Sequence, residues 1–267
     1  TRTVNVVDTT DPVISLNGAA SVSHPVGVDY NDLGAVASDS FEGTTTVIAV
    51  GEVDVDTLGD YVLTYNYSDS SGNAAAQVTR TVSVVDSAAP IITLNGSDPL
   101  QHEAGTTFLD PGAVSNDAQD GSKDLTGTGS VEASVLGTYV LTYEDTDSSG
   151  NAAIAVTREV NVVDTIAPII SFGDGVDVDL TVEAGVAYED VPPGVADSFD
   201  TSVTVETLGQ VDTSQLGIYT LTYSALDDSG NAADQVIRSV TVVDTTPPII
   251  TLNDESEVSH EAGEDLS

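Results

Sequence analysis

The chain has 267 residues, with 44 Asp and Glu against 5 Lys and Arg, and carries a net charge of −39 at neutral pH. So negative a surface repels nucleic-acid phosphates and anionic lipid headgroups, which excludes nucleic acid as a partner. With no run of about 18 apolar residues, membrane insertion as a helix is excluded too, and without cysteine there are no disulfides, thiolate zinc sites or cysteine nucleophiles.

Hydrophobic residues make up 40% of the chain, enough for packed cores rather than a charge-expanded coil. There is no methionine and no charged-then-apolar leader, which predicts a slice of a longer or processed protein. The composition predicts a folded, extracellular one, at a cell surface or secreted.

An internal repeat organises everything else. Val6-Val7-Asp8-Thr9-Thr10-Asp11-Pro12 returns as Val84-Val85-Asp86-Ser87-Ala88-Ala89-Pro90. It returns again as Val162-Val163-Asp164-Thr165-Ile166-Ala167-Pro168 and as Val242-Val243-Asp244-Thr245-Thr246-Pro247-Pro248, at steps of 78, 78 and 80 residues. Such a period exceeds the roughly 20–50 residues of solenoid units and suits a small autonomous domain. In chain order, residues 1–8 read as the last strand of a preceding repeat. Three complete repeats follow over 9–86, 87–164 and 165–244, and 245–267 begin a fourth.

Within each repeat the periodicity is that of strands. Tyr61-Val62-Leu63-Thr64-Tyr65 places Tyr61, Leu63 and Tyr65 on one face, and Val78, Val82 and Val84 share a face before the linker. Ile91-Ile92-Thr93-Leu94 is a further strand, closed by the turn pair Asn95-Gly96. No sustained helical stripe occurs, so each repeat is predicted to be an all-β sandwich. Leu58-Gly59-Asp60-Tyr61, Leu136-Gly137-Thr138-Tyr139 and Leu216-Gly217-Ile218-Tyr219 place a tyrosine where its hydroxyl can reach back to an upstream backbone group. That is the tyrosine corner of immunoglobulin-like sandwiches. The tyrosine strand is then F, Asp69-Ser70-Ser71-Gly72-Asn73 and its copies the F–G loop, and the Val-rich stretch strand G. Tandem copies predict an elongated rod of such sandwiches.

The blocks Asp164-Thr165 to Ile170, Val182-Glu183-Ala184-Gly185, Leu216-Gly217 with Tyr219-Thr220-Leu221-Thr222-Tyr223, and Asp228-Ser229-Gly230-Asn231-Ala232 carry a resemblance. They resemble the bacterial Ig-like repeats of surface proteins, adhesins and some pesticidal crystal proteins. The resemblance covers essentially the whole chain. It implies a tandem extracellular stalk rather than a catalyst, and it identifies no ligand.

The histidines recur with the repeat. His24, His102 and His260 share one repeat position, occupied in the third repeat by Val182. A residue copied at an edge turn reads as exposed punctuation, so no enzyme is predicted. The recurring acids are more informative. The linker aspartate between repeats falls near the B–C and F–G loops of the repeat that follows. This predicts groups Asp8, Asp39 and Asp69; Asp86, Asp117 and Asp147; and Asp164, Asp197 and Asp227 joined by Glu103 from the preceding repeat. Glu183 and Asp244 hold the corresponding places at the next junction.

Carboxylates brought together repel unless a cation sits among them, and oxygen ligands without nitrogen or sulfur suit calcium better than magnesium. The layout is similar to that of cadherin junctions. The alternative stands beside it: Asp-Ser-Ser-Gly-Asn is also what a tight turn selects, on an acidic surface solvated without any bound ion. Pro25 stands where later repeats have Glu103, Glu183 and Glu261, so the junction of repeats one and two is expected to hold an ion more weakly than the next. Arg80, Arg158 and Arg238 lie in phase with the inward valines of strand G and are expected to pair with core-edge carboxylates. Asn66-Tyr67-Ser68 and Asn95-Gly96-Ser97 match glycosylation sequons by pattern only.

The expected function is a structural stalk or spacer of a surface or adhesin protein, or a surface fibre, stiffened by calcium at its junctions. The alternative is an adhesion module that binds surface glycans or proteins, for which Phe41 and Phe199 are the candidate aromatics, with partial burial expected. The expected partners are further repeats of the same chain, and, through strand addition at the segments 1–8 and 245–267, like chains in a fibre.

Overall fold

The computed structural model describes residues 1–251 and Ala262, and these contain eighteen strands and no helix. The fourth-repeat positions His260 and Glu261 lie outside the described residues. The fold gathers into two compact units. One comprises Thr1–Leu100, Phe108–Val131 and Thr138–Val160; the other comprises Gln101–Thr107, Glu132–Gly137 and the described residues from Asn161 onward.

In the first repeat, β1 (Val13–Leu16), β3 (Ala35–Asp39) and β4 (Gly43–Val47) form one sheet in the order β1-β3-β4. The other sheet is β2 (Ser21–Pro25), β6 (Val78–Val85) and β5 (Gly59–Tyr65), in the order β2-β6-β5. β2 runs parallel to β6 with His24 opposite Val84, and β5 runs antiparallel to β6 with Leu63 opposite Arg80. The second repeat repeats the plan with β7 (Ile91–Leu94), β9 (Ala113–Asp117) and β10 (Gly121–Leu125) in one sheet. β8 (Leu100–Glu103), β11 (Gly137–Tyr143) and β12 (Val156–Val163) form the other.

The third repeat departs from this plan. β13 (Ile169–Ser171) pairs only with β15 (Gly194–Ala196). β16 (Val205–Leu208) joins β14 (Asp179–Glu183), β18 (Val236–Val243) and β17 (Gly217–Ala225) in the order β14-β18-β17-β16. In the first two repeats only the isolated bridges Val50–Thr64 and Thr128–Thr142 mark that pairing.

Period-2 alternation places the cores as the sequence requires. Ile14, Ala35, Ala37, Val47, Leu63, Tyr65 and Val82 pack the first; Ile92, Ala113, Leu141, Tyr143 and Val160 the second; Ile170, Leu221, Tyr223, Ala225 and Ala233 the third. Each large apolar side chain so buried contributes about 1.5–3 kcal/mol. The predicted tyrosine corner is present: the Tyr61 hydroxyl donates to the Thr57 carbonyl at 2.9 Å and that of Tyr219 to the Gln215 carbonyl at 3.0 Å.

The segment after Asp39, read as the B–C loop, is a short turn. β3 turns into β4 as a hairpin within one sheet. The reason is local: Asp39 Oδ1 accepts from the Phe41 and Glu42 N–H groups at 2.6 and 3.0 Å, and Gly43 follows at φ +86°. Residues 1–8, read as a strand, form none. Their in-frame counterparts in β6 are held between β2 and β5, whereas no described strand pairs with 1–8.

The arginines find their carboxylates in the core. Arg80 pairs with Asp32, Arg158 with Asp110 at 3.2 Å and Arg238 with Asp190 at 2.6 Å, and each arginine is almost wholly buried. A buried tyrosine completes each set: Tyr65, Tyr143 and Tyr223 donate to the same aspartates at 2.7, 2.5 and 2.8 Å. Arg80 and Arg158 lie over the Tyr65 and Tyr143 rings at 5.7 and 5.6 Å. Burial, then the hydrogen bond to the aspartate, pushes the Tyr65 and Tyr143 hydroxyls up to about 12.

Candidate metal centres

Three groups of aspartates recur at the start of the three repeats, and in each, one carboxylate oxygen of every aspartate lies within 4.8 Å of those of the others. They are Asp8, Asp39 and Asp69; Asp86, Asp117 and Asp147; and Asp164, Asp197 and Asp200. The first two groups lie within the first compact unit and the third within the second.

Three local structures supply each group. The linker aspartate caps its own bend: the Thr10, Ala88 and Ile166 N–H groups donate to Oδ1 of Asp8, Asp86 and Asp164 at 3.1, 3.1 and 3.4 Å. The aspartate ending β3, β9 or following β15 caps the next turn. Asp117 Oδ1 takes the N–H groups of Gln119 and Asp120 at 2.7 and 3.1 Å, and Asp197 Oδ1 those of Phe199 and Asp200 at 2.7 and 2.8 Å. The aspartate of the Asp-Ser-Gly-Asn turn is held from both sides by one asparagine. Asn151 donates its N–H to Asp147 Oδ1 and its amide to Oδ2, each at 2.7 Å, and reaches the Asp86 carbonyl at 3.3 Å. Asn231 does the same for Asp227 and the Asp164 carbonyl, the latter at 3.1 Å.

This division of labour leaves a pattern. The Oδ2 atoms of Asp8, Asp39, Asp86, Asp164 and Asp197 are buried and have no hydrogen-bond partner. Asp39 is 8% exposed, and Asp86 and Asp164 are 7% exposed. Electrostatics agree with crowding at the third group: burial first, then the charges of Asp227 and Asp197, push the Asp164 carboxyl up. Asp147 and Asp227 are pushed up by burial, but the Asn151 and Asn231 hydrogen bonds outweigh it and bring both below the ordinary value. The donor set is entirely carboxylate and carbonyl oxygen, which suits hard cations. These acidic groups can hold a metal ion.

The other predicted site residues take different positions. Glu103 accepts the Thr165 N–H on Oε1 at 2.9 Å and the Thr165 hydroxyl on Oε2 at 2.7 Å. Glu183 does the same with Thr245 at 2.7 and 2.8 Å. Both glutamates therefore staple the linker that leaves their own repeat, and the threonine hydrogen bonds hold both carboxyls below the usual range. Asp244 is exposed and accepts from the Thr246 N–H at 3.2 Å. Asp227 sits beside Asp164 but outside its 4.8 Å group, whose third member is Asp200. Phe41 is 74% exposed rather than partly buried, whereas Phe199 is half-buried, beside Gly105.

Asp200 was not foreseen from the sequence. Its in-frame counterparts Glu42 and Asp120 are hydrogen-bonded by a serine of the next turn. Ser148 donates its N–H and hydroxyl to Asp120 at 2.6 and 2.7 Å, and Ser70 likewise donates both to Glu42. In the third repeat that serine is Asp228, which offers Asp200 only its N–H, at 3.0 Å. The signal was present as a Ser, Ser, Asp series across the repeats.

Repeated sandwiches with tyrosine corners, joined by short linkers with an acidic group at each start, define a tandem immunoglobulin-like repeat protein. The chain belongs to the family of bacterial surface protein Ig-like domains, which it matches three times, over residues 14–84, 92–162 and 176–242. It is similar to hyalin of Lytechinus variegatus, at 31% identity over 275 residues covering 94% of this chain and 51% of that protein. It is also similar to hyalin of Strongylocentrotus purpuratus, at 29% over 272 residues, covering 94% and 22%. The chain thus spans about half, or less, of these relatives. Among solved structures, Drosophila N-cadherin EC1-3 aligns with 86% of this chain and 99% of its own at 13% identity, with a TM-score of 0.24.

Proposed function

We propose that this chain is a spacer segment of an extracellular surface protein, and that calcium at the start of each repeat ties the linker aspartate to the two turns beside it. The observation that supports this most is the recurrence of buried, donorless Oδ2 atoms on Asp8, Asp39, Asp86, Asp164 and Asp197. Turn formation alone accounts for the Oδ1 atoms, and an asparagine would cap those turns as well. Nothing in turn chemistry asks for a second, ionised oxygen turned inward, where burial without a partner costs free energy. A cation accounts for it.

Calcium takes six to eight oxygens at roughly 2.3–2.6 Å in flexible geometry, so carboxylates of this spacing, backbone carbonyls and water can share one ion. The bound ion would supply charge neutralisation and nothing catalytic. The residues do the rest: Asn151 and Asn231 fix the turn aspartate against the linker carbonyl, and Glu103 and Glu183 fix the linker threonine. A linker held in this way is stiff, which is what a spacer requires.

Calcium titrated calorimetrically into the full chain at physiological salt, with small-angle scattering in calcium and in chelator, tests this. Saturable binding, together with a narrower distribution of chain dimensions in calcium, is expected. Heats that never saturate, as for a diffuse counterion atmosphere, with scattering unchanged by chelator, would overturn the proposal.

A further inference from the structure

We infer that the three acidic groups are not equivalent, and that the third is a higher-affinity cation site in which Asp200 is an added ligand, released for that role by Asp228. This rests on the reading of these groups as calcium sites and goes beyond it by ranking them and naming the residue that sets the rank.

Donors from the next turn restrain the acid three residues after the β3-type aspartate. In the second repeat Asp120 has both oxygens committed, Oδ2 to the Ser148 N–H and Oδ1 to its hydroxyl, so it stays outside the Asp86, Asp117 and Asp147 group. In the first repeat Glu42 receives both Ser70 donors on Oε1 and the Tyr67 hydroxyl on Oε2 at 3.4 Å, and it too stays outside. The third repeat keeps the backbone donor, at 3.0 Å from Asp200 Oδ2, but replaces the hydroxyl by a second carboxylate. A carboxylate cannot donate, and it repels Asp200. Asp200 accordingly presents an oxygen within 4.8 Å of oxygens of Asp164 and Asp197.

A second observation points to a ligand at this place. Asp164 is 7% exposed, and its Oδ2, like that of Asp197, is buried without a partner. Asp227 stands close enough to act electrostatically on Asp164. Asp164, Asp197 and Asp200 thus meet within 4.8 Å, the same number as in each other group, and Asp227 adds a fourth charge beside them; calcium affinity rises with the number of charged ligands. Glu103, hydrogen-bonded to Thr165, fixes the adjoining linker; the in-frame residue for the second group is Pro25, which has no such side chain.

The test is calorimetric titration of the chelated full chain with calcium, for the wild type, Asp228→Ser and Ser148→Asp. Asp228 is exposed, and serine is native at this position in the other two repeats, so folding is preserved. The wild type is expected to show one tight class ahead of a weaker one. Asp228→Ser returns a hydroxyl to Asp200 and should weaken the tight class on the order of tenfold, merging the two. Ser148→Asp should release Asp120 and convert one weak site into a tight one. Binding that is uniform in the wild type, or unaltered by both substitutions, overturns the ranking while leaving the calcium reading intact. No saturable binding by the wild type overturns both.

Discussion

Asp164→Asn should change the stability of the third repeat in opposite directions with and without calcium. Asparagine keeps the size of the side chain and the Oδ1 acceptor facing the Ile166 N–H. What it removes is a charge within 4.8 Å of Asp197 and Asp200. Two unit charges at that distance repel by about 3.5 kcal/mol at an effective dielectric of about 20. Asp164 makes two such pairs, but its raised proton affinity and solvent screening already relieve most of that in the wild type. A net gain of about 1–2 kcal/mol is expected in chelator.

The sign with pH follows from the same group. Its folded pKa lies above the unfolded value of 3.8, so the wild type in chelator loses stability as pH rises from 3.8 through the folded pKa, and the variant lacks that slope. In calcium at about 100 times the dissociation constant, the wild type gains about 2.7 kcal/mol that the variant forfeits. For a repeat of this size 1 kcal/mol moves the midpoint by about 4–8 °C, so scanning calorimetry of the full chain resolves both changes. The variant's third-repeat transition should lie above wild type in chelator and below it in calcium. Equal destabilisation in both buffers would contradict a cation-holding role, because it would mean that Asp164 serves the turn alone.

Two other perturbations probe the frame around the sites. Glu103→Gln should cost about 1 kcal/mol at neutral pH, since a charge-assisted pair of hydrogen bonds to Thr165 becomes a neutral one on a partly exposed linker. Because the folded pKa of Glu103 is depressed below 4.5, that difference should be complete above pH 4.5 and vanish as pH falls through the folded value. Urea denaturation across pH 3–7 checks it, and a difference independent of pH would contradict it. Arg158→Met leaves Asp110 with the Tyr143 hydroxyl and the Gly112 and Gly127 N–H groups but without its buried counter-charge. About 3–5 kcal/mol of the second repeat's stability should be lost. Adding Asp110→Asn should cost much less than its own single effect, and strict additivity would show that the pair is not coupled.

The repeat, the strands and the faces they bury are legible in residue order alone. Each rests on short-range regularity: the period-2 alternation of Leu63, Tyr65, Val82 and Val84, the Leu-Gly-x-Tyr corners, and the in-frame linkers. The linker, β3-end and turn aspartates were legible for the same reason, since sandwich topology fixes which loops meet. The identity of the third group's last member was decided in three dimensions. Whether Asp200 or Asp227 faces Asp164 depends on which hydrogen-bond donors reach each carboxylate: Asp200 takes its donor from a turn 28 residues away, whereas Asp227 takes both of its own from Asn231. The aspartates that receive the arginines were hidden likewise: Asp32, Asp110 and Asp190 precede their arginines by 48 residues in every repeat. Only the packing of the two sheets brings that guanidinium, carboxylate and tyrosine hydroxyl together. Charge satisfaction in a folded chain is a property of the partners at hand, which residue order alone does not specify.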